Sequence, residues 1–422
     1  MKFACKYTDL VTTLADVYIV AEDALSNEDM RNIVFQLSPE GKATLIAFNQ
    51  HIVIKKPIEE GVVTLEIDTE KDTLVDGFYY MSLKSKELRE YLNSYKNVRT
   101  TEVEEVIFEP GDRNSIKCTT IERVSLSDEE KTLYENNGQP IPTYVSHWSF
   151  GNIPIKPTSF QYINLKADTV DITDISSQAI AFHTKNLLPI MQSGVDLYSS
   201  VMFDEQNVVV MNAAFTTIMQ NNVADGGLFV GVRLMHKCVD FLDKLSVTSI
   251  TSADEPSSAF LKVAKLERYI YVKSETSEVF LIYDNKLAGY QTMSNMFKKE
   301  NVITINRIYL KDVLKRLSLV HDNIEFSIKP DDNIVTLRNS KFSQDINIGY
   351  QRGMAEFGKV NFKIMPDVLN KSIIGSDEEF TQMSGDYAKD VFIYFCPTQK
   401  DIAIVFADAT GKWFSVVRVK TY

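Results

Sequence analysis

Apolar and polar positions alternate along the chain in two periods, which trade places several times. The clearest stretch runs from Ile303 to Leu337. Leu310, Val313, Leu314, Leu317 and Val320 recur at helical spacing, with Lys311, Lys315 and Ser318 on the opposite face. Ile324, Phe326 and Ile328 then alternate with polar residues, and a Pro330-Asp-Asp-Asn333 turn leads into Ile334–Leu337. The predicted unit is strand, amphipathic helix, strand, tight turn, strand.

The same order is expected twice earlier. Near the start, Lys2–Lys6 reads as a strand, and Leu10, Leu14, Val17 and Ala21 define a helix face. Strands follow at Asn32–Leu37, Ala43–Phe48 and Gly77–Ser82, then a helix over Ser85–Tyr95 and a hairpin of Val103–Phe108 with Ser115–Val124. A second round is expected from about Val170, with Ser176 or Ser177 capping a helix. Its strands are Val201–Phe203, Asn207–Met211, Phe215–Met219 and Leu228–Gly231, its second helix Leu234–Leu245, and its last hairpin Ala259–Val263 with Tyr269–Lys273. The third round closes with a short helix begun by Pro366 and strands Val391–Cys396, Ile402–Phe406 and Phe414–Val419. Residues 126–160 break the pattern. Their acidic run, Asn-Asn-Gly and four prolines read as an inserted loop region.

The expected organisation is therefore α+β: three copies of one domain, each with two helices packed on antiparallel sheets. The boundaries are 1–165, 166–300 and 301–422.

Composition narrows the function. The chain has 422 residues and the charged and apolar content of a soluble protein. No apolar run reaches the length of a membrane span. Cys5, Cys118, Cys238 and Cys396 are scattered, which favours reduced thiols in a cytoplasmic protein. The net charge of −12 alone argues against nucleic acid. The sign nevertheless separates by element. Arg307–Arg316 holds four basic residues against Asp312, whereas Thr101–Glu109 holds only acidic ones.

No phosphate-loop, zinc-protease or nucleophile-elbow pattern occurs, and the five histidines lack metal-ligand spacing. Asp128–Glu130 and Asp377–Glu379 read as polar turns rather than metal carboxylates. The chain is expected to be no enzyme and to need no cofactor.

Taken end to end, the order of elements resembles the bacterial replicative sliding clamp, the beta subunit of DNA polymerase III. Met1-Lys-Phe with its helix, Asn32–Leu37, Tyr198–Phe203, Val360–Ser376 and Asp401–Val417 carry the resemblance. It implies a closed head-to-tail ring, a homodimer, that encircles double-stranded DNA without reading sequence and tethers the polymerase. A divergent or viral member is implied.

On that resemblance the DNA-binding residues are Lys84, Lys86, Arg89, Gln192, Arg233, Lys237, Lys311, Lys315 and Lys371. They would make phosphate contacts from the helices that line the hole. For each one alone, the alternative is a solvated helix face. The first helix is acidic at Asp9, Asp16, Glu22 and Asp23, so the first domain is expected to grip DNA through its second helix.

The resemblance also implies a pocket for short peptides of the polymerase and clamp loader. Here it maps to Met211, Phe215, Thr217, Val416, Val417, Arg418 and Val419, which could equally be plain sheet core. The competing readings are a viral structural or assembly protein of β-rich domains, and an enzyme built from scattered carboxylates.

Overall fold

The structure is a computed structural model. It describes residues 1–21, 30–68, 70, 72–96, 101–166, 173–176, 198–203, 207–211, 215–220, 230–235, 241–242, 260–265, 268–274, 276–283, 300–320, 322–354, 359–373, 390–397, 402–407 and 413–419. The chain divides into two compact units, 1–173 with 262–282, and 174–261 with 283–422.

In the first unit, strand Lys2–Lys6 runs directly into helix Tyr7–Ala21. The predicted face is the buried one: Leu10, Leu14, Val17 and Ala21 are all covered. Lys2–Lys6 lies second in a sheet ordered Thr64–Glu66, Lys2–Lys6, Thr101–Pro110, Ser115–Val124, Thr143–Gly151. The unit's other sheet places Tyr79–Lys84, Asn32–Leu37, Ala43–Phe48 and Ile52–Pro57 side by side, then Glu278–Ile282 and Tyr269–Lys273. Phe3, Phe35 and Phe108 meet between the sheets, with ring centroids 5.1–5.5 Å apart and no solvent exposure.

The second unit repeats the plan. Strand Val302–Asn306 feeds helix Arg307–Leu317, whose buried residues include Leu310, Val313, Leu314 and Leu317. The helix begins earlier than the apolar spacing predicts, because the Asn306 carboxamide oxygen accepts the Tyr309 backbone N–H at 3.0 Å. Asn306→Ala is expected to cost about 1 kcal/mol, read as a shift in the urea midpoint. The turn after Lys329 closes through the Asn333 N–H donating to the Pro330 carbonyl, with Asn333 at φ 55°.

Two sheets complete this unit. One is ordered Ser343–Asn347, Ile334–Arg338, Ile324–Lys329, Val360–Ile364. The other runs Val230–Met235, Tyr198–Phe203, Asn207–Met211, Phe215–Gln220, Trp413–Val419, Ile402–Ala407, Asp390–Pro397, Val302–Asn306, Tyr350–Arg352.

Along the chain, antiparallel triplets of strands recur in pairs: 32–57 and 101–151, 198–220 and 260–282, 324–347 and 390–419. Two triplets are joined edge to edge in each unit. Ile52–Pro57 pairs with Glu278–Ile282, and Phe215–Gln220 pairs with Trp413–Val419.

Two expectations are corrected. Residues 126–160 are not a loop region: they hold helix Asp128–Asn136 and strand Thr143–Gly151, which pairs along its length with Ser115–Val124. Tyr144, Ser146, Trp148 and Phe150 supply a period of two that the prolines obscured, since Pro140 and Pro142 stand just before the strand. Asp128–Glu130 accordingly open a helix, with Ser127 and Glu130 forming a reciprocal cap. Ser176 ends strand Thr173–Ser176, and Ser177 with the helix expected after it lies outside the described residues. Leu234 and Met235 end strand Val230–Met235 instead of starting a helix, and only Phe241 and Leu242 of that predicted helix are described as helical. Among the described residues no helix is long and apolar enough to cross a membrane.

Candidate nucleic-acid interface and strand edges

Helix Ser85–Asn93 buries Leu88, Tyr91 and Leu92 and turns Lys86, Glu87, Arg89 and Glu90 outward. Lys84 and Lys86 are exposed and only loosely held. Lys84 Nζ lies 3.5 Å from Glu87, and Lys86 Nζ lies 3.8 Å from Glu90. Exposed pairs of this length contribute little, so both ammonium groups can exchange a carboxylate for a phosphate. Arg89 is more constrained. Its guanidinium lies over the Tyr18 ring, 4.1 Å from the centroid, which ties this helix to Tyr7–Ala21.

The first helix supplies no such cations. Asp16 is paired with Lys56, and Asp9 sits in the first turn. Glu22 and Asp23 lie outside the described residues.

In the second unit Lys315 is exposed, 3.9 Å from Asp312, and Lys311 is half-buried on the same helix. The sequence reading passed over Arg316, which is exposed on this helix with its guanidinium 5.5 Å from the Phe342 ring centroid. Arg307 is buried and so removed from any surface role. Helix Pro366–Ser372 packs on Arg307–Leu317, where Asn370 Nδ2 donates to Ser318 Oγ at 3.2 Å. That places the Lys371 backbone beside the same helix, its side chain outside the description. Arg233 belongs to strand Val230–Met235, opposite Ser200, and not to a helix. Gln192 and Lys237 fall outside the described residues. Thus Lys84, Lys86 and Arg89 form one group and Lys311 and Lys315 another.

The pocket residues Met211, Phe215, Thr217 and Val416–Val419 come together through strand pairing. Met211 pairs with Thr216, Phe215 with Val417, and Thr217 with Ser415. Val416, Val417 and Val419 are buried. Val416 packs with Cys396, Ala403 and Val405. The side chains of Met211, Phe215, Thr217 and Arg418 lie outside the description.

Two edges remain. Thr143–Gly151 and Ser343–Asn347 end their sheets, with no further strand among the described residues. The first carries Tyr144, Val145 and Trp148 at 52–56% exposure. Near the second, exposed Tyr309 accepts a hydrogen bond from Gln344 Nε2 at 3.1 Å, next to exposed Ile308. Strand edges without a partner strand invite pairing with another chain.

No protein-family model matches the sequence, and no curated protein is similar to it. Solved structures do match over the full length. A protein assigned as a DNA polymerase III beta subunit in Eubacterium rectale ATCC 33656 is 14% identical with a TM-score of 0.62, all of both chains being covered. The DNA polymerase III beta chain of Streptococcus pneumoniae TIGR4 is 11% identical with a TM-score of 0.60, covering 99% of each chain. The Helicobacter pylori beta clamp bound to a DNA ligase peptide is 12% identical with a TM-score of 0.57, again covering 99% of each. The chain thus has the fold of the DNA polymerase III beta clamps.

Proposed function

We propose that this protein is a DNA sliding clamp, a non-enzymatic processivity factor that closes as a head-to-tail homodimer around duplex DNA. The observation that carries the reading is the pattern of joints. In each unit the outer strand of one repeat's first triplet pairs with the outer strand of the next repeat's second triplet. The same rule leaves Ser343–Asn347 and Thr143–Gly151 as complementary ends. A second copy supplies the missing partner at each end. A head-to-tail contact of this type propagates until it closes, and two chains of three repeats close a six-fold arrangement. The three domains on this reading are 1–165, 166–300 and 301–422.

Lys84, Lys86, Arg89, Lys311, Lys315 and Lys371 then provide loose phosphate contacts for a duplex, with no base reading. Arg233 and the undescribed Gln192 and Lys237 have no helix-face argument and rest on the resemblance alone. The strands carrying Met211, Phe215, Thr217 and Val416–Val419 form the floor of a site for short linear peptides of a polymerase and a clamp loader. The Helicobacter pylori clamp with its ligase peptide supports that use of the fold. The cell compartment on this reading is the cytoplasm, with the replicating DNA.

The deciding experiment loads the protein onto nicked circular DNA and then linearises it. Retention on circles and loss on linear DNA is expected. A structural protein of β-rich domains would be indifferent to the topology. Lys86→Ala and Lys315→Ala are each expected to lower the slope of log affinity against log salt by about 0.9 for every phosphate contact removed. An unchanged slope in both would remove these helices from the DNA surface.

A further inference from the structure

The repeats also fix how the two open edges meet. The first-triplet hairpins align through their closing pairs: Phe48 with Val53, Met211 with Thr216, and Arg338 with Ser343. Across the two joints seen in the chain, Val53 faces Phe280 and Thr216 faces Val416. Ser343 is the third member of that set.

The position matching Val416 on the other edge follows from the helix-bearing strands. Ala4 and Thr304 stand three residues before helices Tyr7–Ala21 and Arg307–Leu317. They pair with Ile107 and Phe392. Those pair with Thr119 and Ala407, which in turn pair with His147 and Phe414. His147 therefore matches Phe414, and Ser149 matches Val416.

We infer that Ser149 of one copy faces Ser343 of a second copy, and that this register sets His147 opposite Asp345 as a titratable cross-strand pair at each subunit joint. The inference rests on the ring reading and specifies its joint.

The faces of the two strands agree with this register. It puts Phe150 opposite Phe342 and Ser146 opposite Ile346. Phe150 and Trp148 lie against Tyr91, at 5.7 and 5.5 Å between ring centroids, and Ile346 is buried. A shift by one residue would turn one buried face toward the other chain's solvent face. The equivalent position in the first joint holds Lys55 opposite Glu278, an acid–base pair with the roles exchanged. In the second joint it holds Ile218 opposite Phe414.

The chemistry of the third pair is set by its neighbours. Thr119 Oγ1 is 3.0 Å from His147 Nδ1, and in the imidazolium, where both ring nitrogens carry a hydrogen, Nε2 is the donor left for the other strand. Next along that strand, Lys117 is bound to Glu109 at 2.8 Å, and Glu105 lies on the same face, beyond Ile121. On the other edge, Asp345 Oδ1 accepts the Thr336 hydroxyl at 2.6 Å, leaving Oδ2 for the imidazolium. Arg338 there is bound to Glu325 at 2.8 Å, with Lys329 and Lys363 further across the sheet. Pairing with Asp345 raises the affinity of His147 for its proton in the dimer. The dimer therefore binds more protons than the separated chains, and it tightens as the pH falls.

Cross-linking and sedimentation on the full chain test this. Ser149→Cys with Ser343→Cys is expected to give a covalent two-chain species on mild oxidation. Ser149→Cys with Asn347→Cys, four residues out of register, should not. From pH 7.5 to 5.5 the dimer Kd should fall about five-fold per joint, and so about twenty-five-fold for two joints, more than in His147→Gln or Asp345→Asn. A dimer that cross-links only through the out-of-register pair, or whose pH response survives both substitutions, overturns the register and leaves the ring standing. Chains that stay monomeric by mass in every variant overturn both.

Discussion

Val145→Asp combined with Trp148→Asp is expected to leave a folded monomer that no longer stays on circular DNA. Both positions lie on the outer strand of the five-stranded sheet, at 55% and 52% exposure, with Val145 opposite Ile121 on the neighbouring strand. Each joint would have to desolvate two carboxylates, opposite Asn347 and Gln344 of the other chain. Burying such charges without partners, while losing an aromatic anchor, is worth about 4 kcal/mol per joint, roughly a thousand-fold in association. Leu133→Asp serves as the control. Leu133 is 59% exposed on helix Asp128–Asn136, outside the edge strand itself, and its substitution should leave the dimer intact. Trp148 stacks on Tyr91, so a small loss in thermal midpoint is expected in the double variant. Dimer mass and DNA retention should disappear together. Retention on circles by a monomeric variant would sink the ring reading, and a dimer that survives would move the joint elsewhere.

The same edge marks what the sequence could and could not convey. Leu310, Val313, Leu314 and Leu317 announced their helix because helical burial is a local pattern, and the structure buries all four. The closing hairpins were equally plain, since Val391–Cys396 and Ile402–Phe406 are apolar over nearly their full length. Thr143–Gly151 was not legible. It is an edge strand with one buried residue, Phe150, so its period is carried by residues that also suit a loop. Val230–Met235 went wrong for a different reason. Val230, Val232 and Leu234 set a period of two, and continuation of that ladder against Tyr198–Phe203 outweighs the helical spacing that starts at Leu234. Lys86 and Lys315 are exposed on their helices, opposite the buried apolar residues. Arg307 was counted among the same cations although it is buried. Spacing along one helix cannot reveal what a neighbouring element covers.

Lys55 is the strongest case of that limit and gives the second large prediction. A lysine at the end of an apolar strand reads as a solvent-facing residue, yet it is only 7% exposed. Its ammonium donates to the carbonyls of Ile163 and Leu165, both at 2.6 Å, and lies 5.4 Å from the centre of the Phe280 ring. Burial lowers its pKa from 10.5 to about 8, against the opposing pull of Glu278. The unfolded chain keeps the proton up to about 10.5. Between pH 8 and 10.5 the unfolded state therefore holds a proton that the folded state has released, and the folded state gains stability as the pH rises. Below pH 8 both states are protonated, and the full cost of burying the charge is present. Over the whole window the gain is about 3 kcal/mol. Lys55→Met has no such group and serves as the reference, because tyrosine and other lysine titrations are common to both proteins. At pH 7.5 its midpoint reflects two opposing effects, relief from the buried charge and loss of the donor to two carbonyls. The diagnostic quantity is the change in the difference between the proteins. Urea midpoints at pH 7.5 and 10.5 should show wild type gaining about 3 kcal/mol on Lys55→Met. A constant difference would mean that Lys55 is solvated in the folded state, and that the contact between Ile52–Pro57 and the 163–165 segment is looser than its hydrogen bonds indicate.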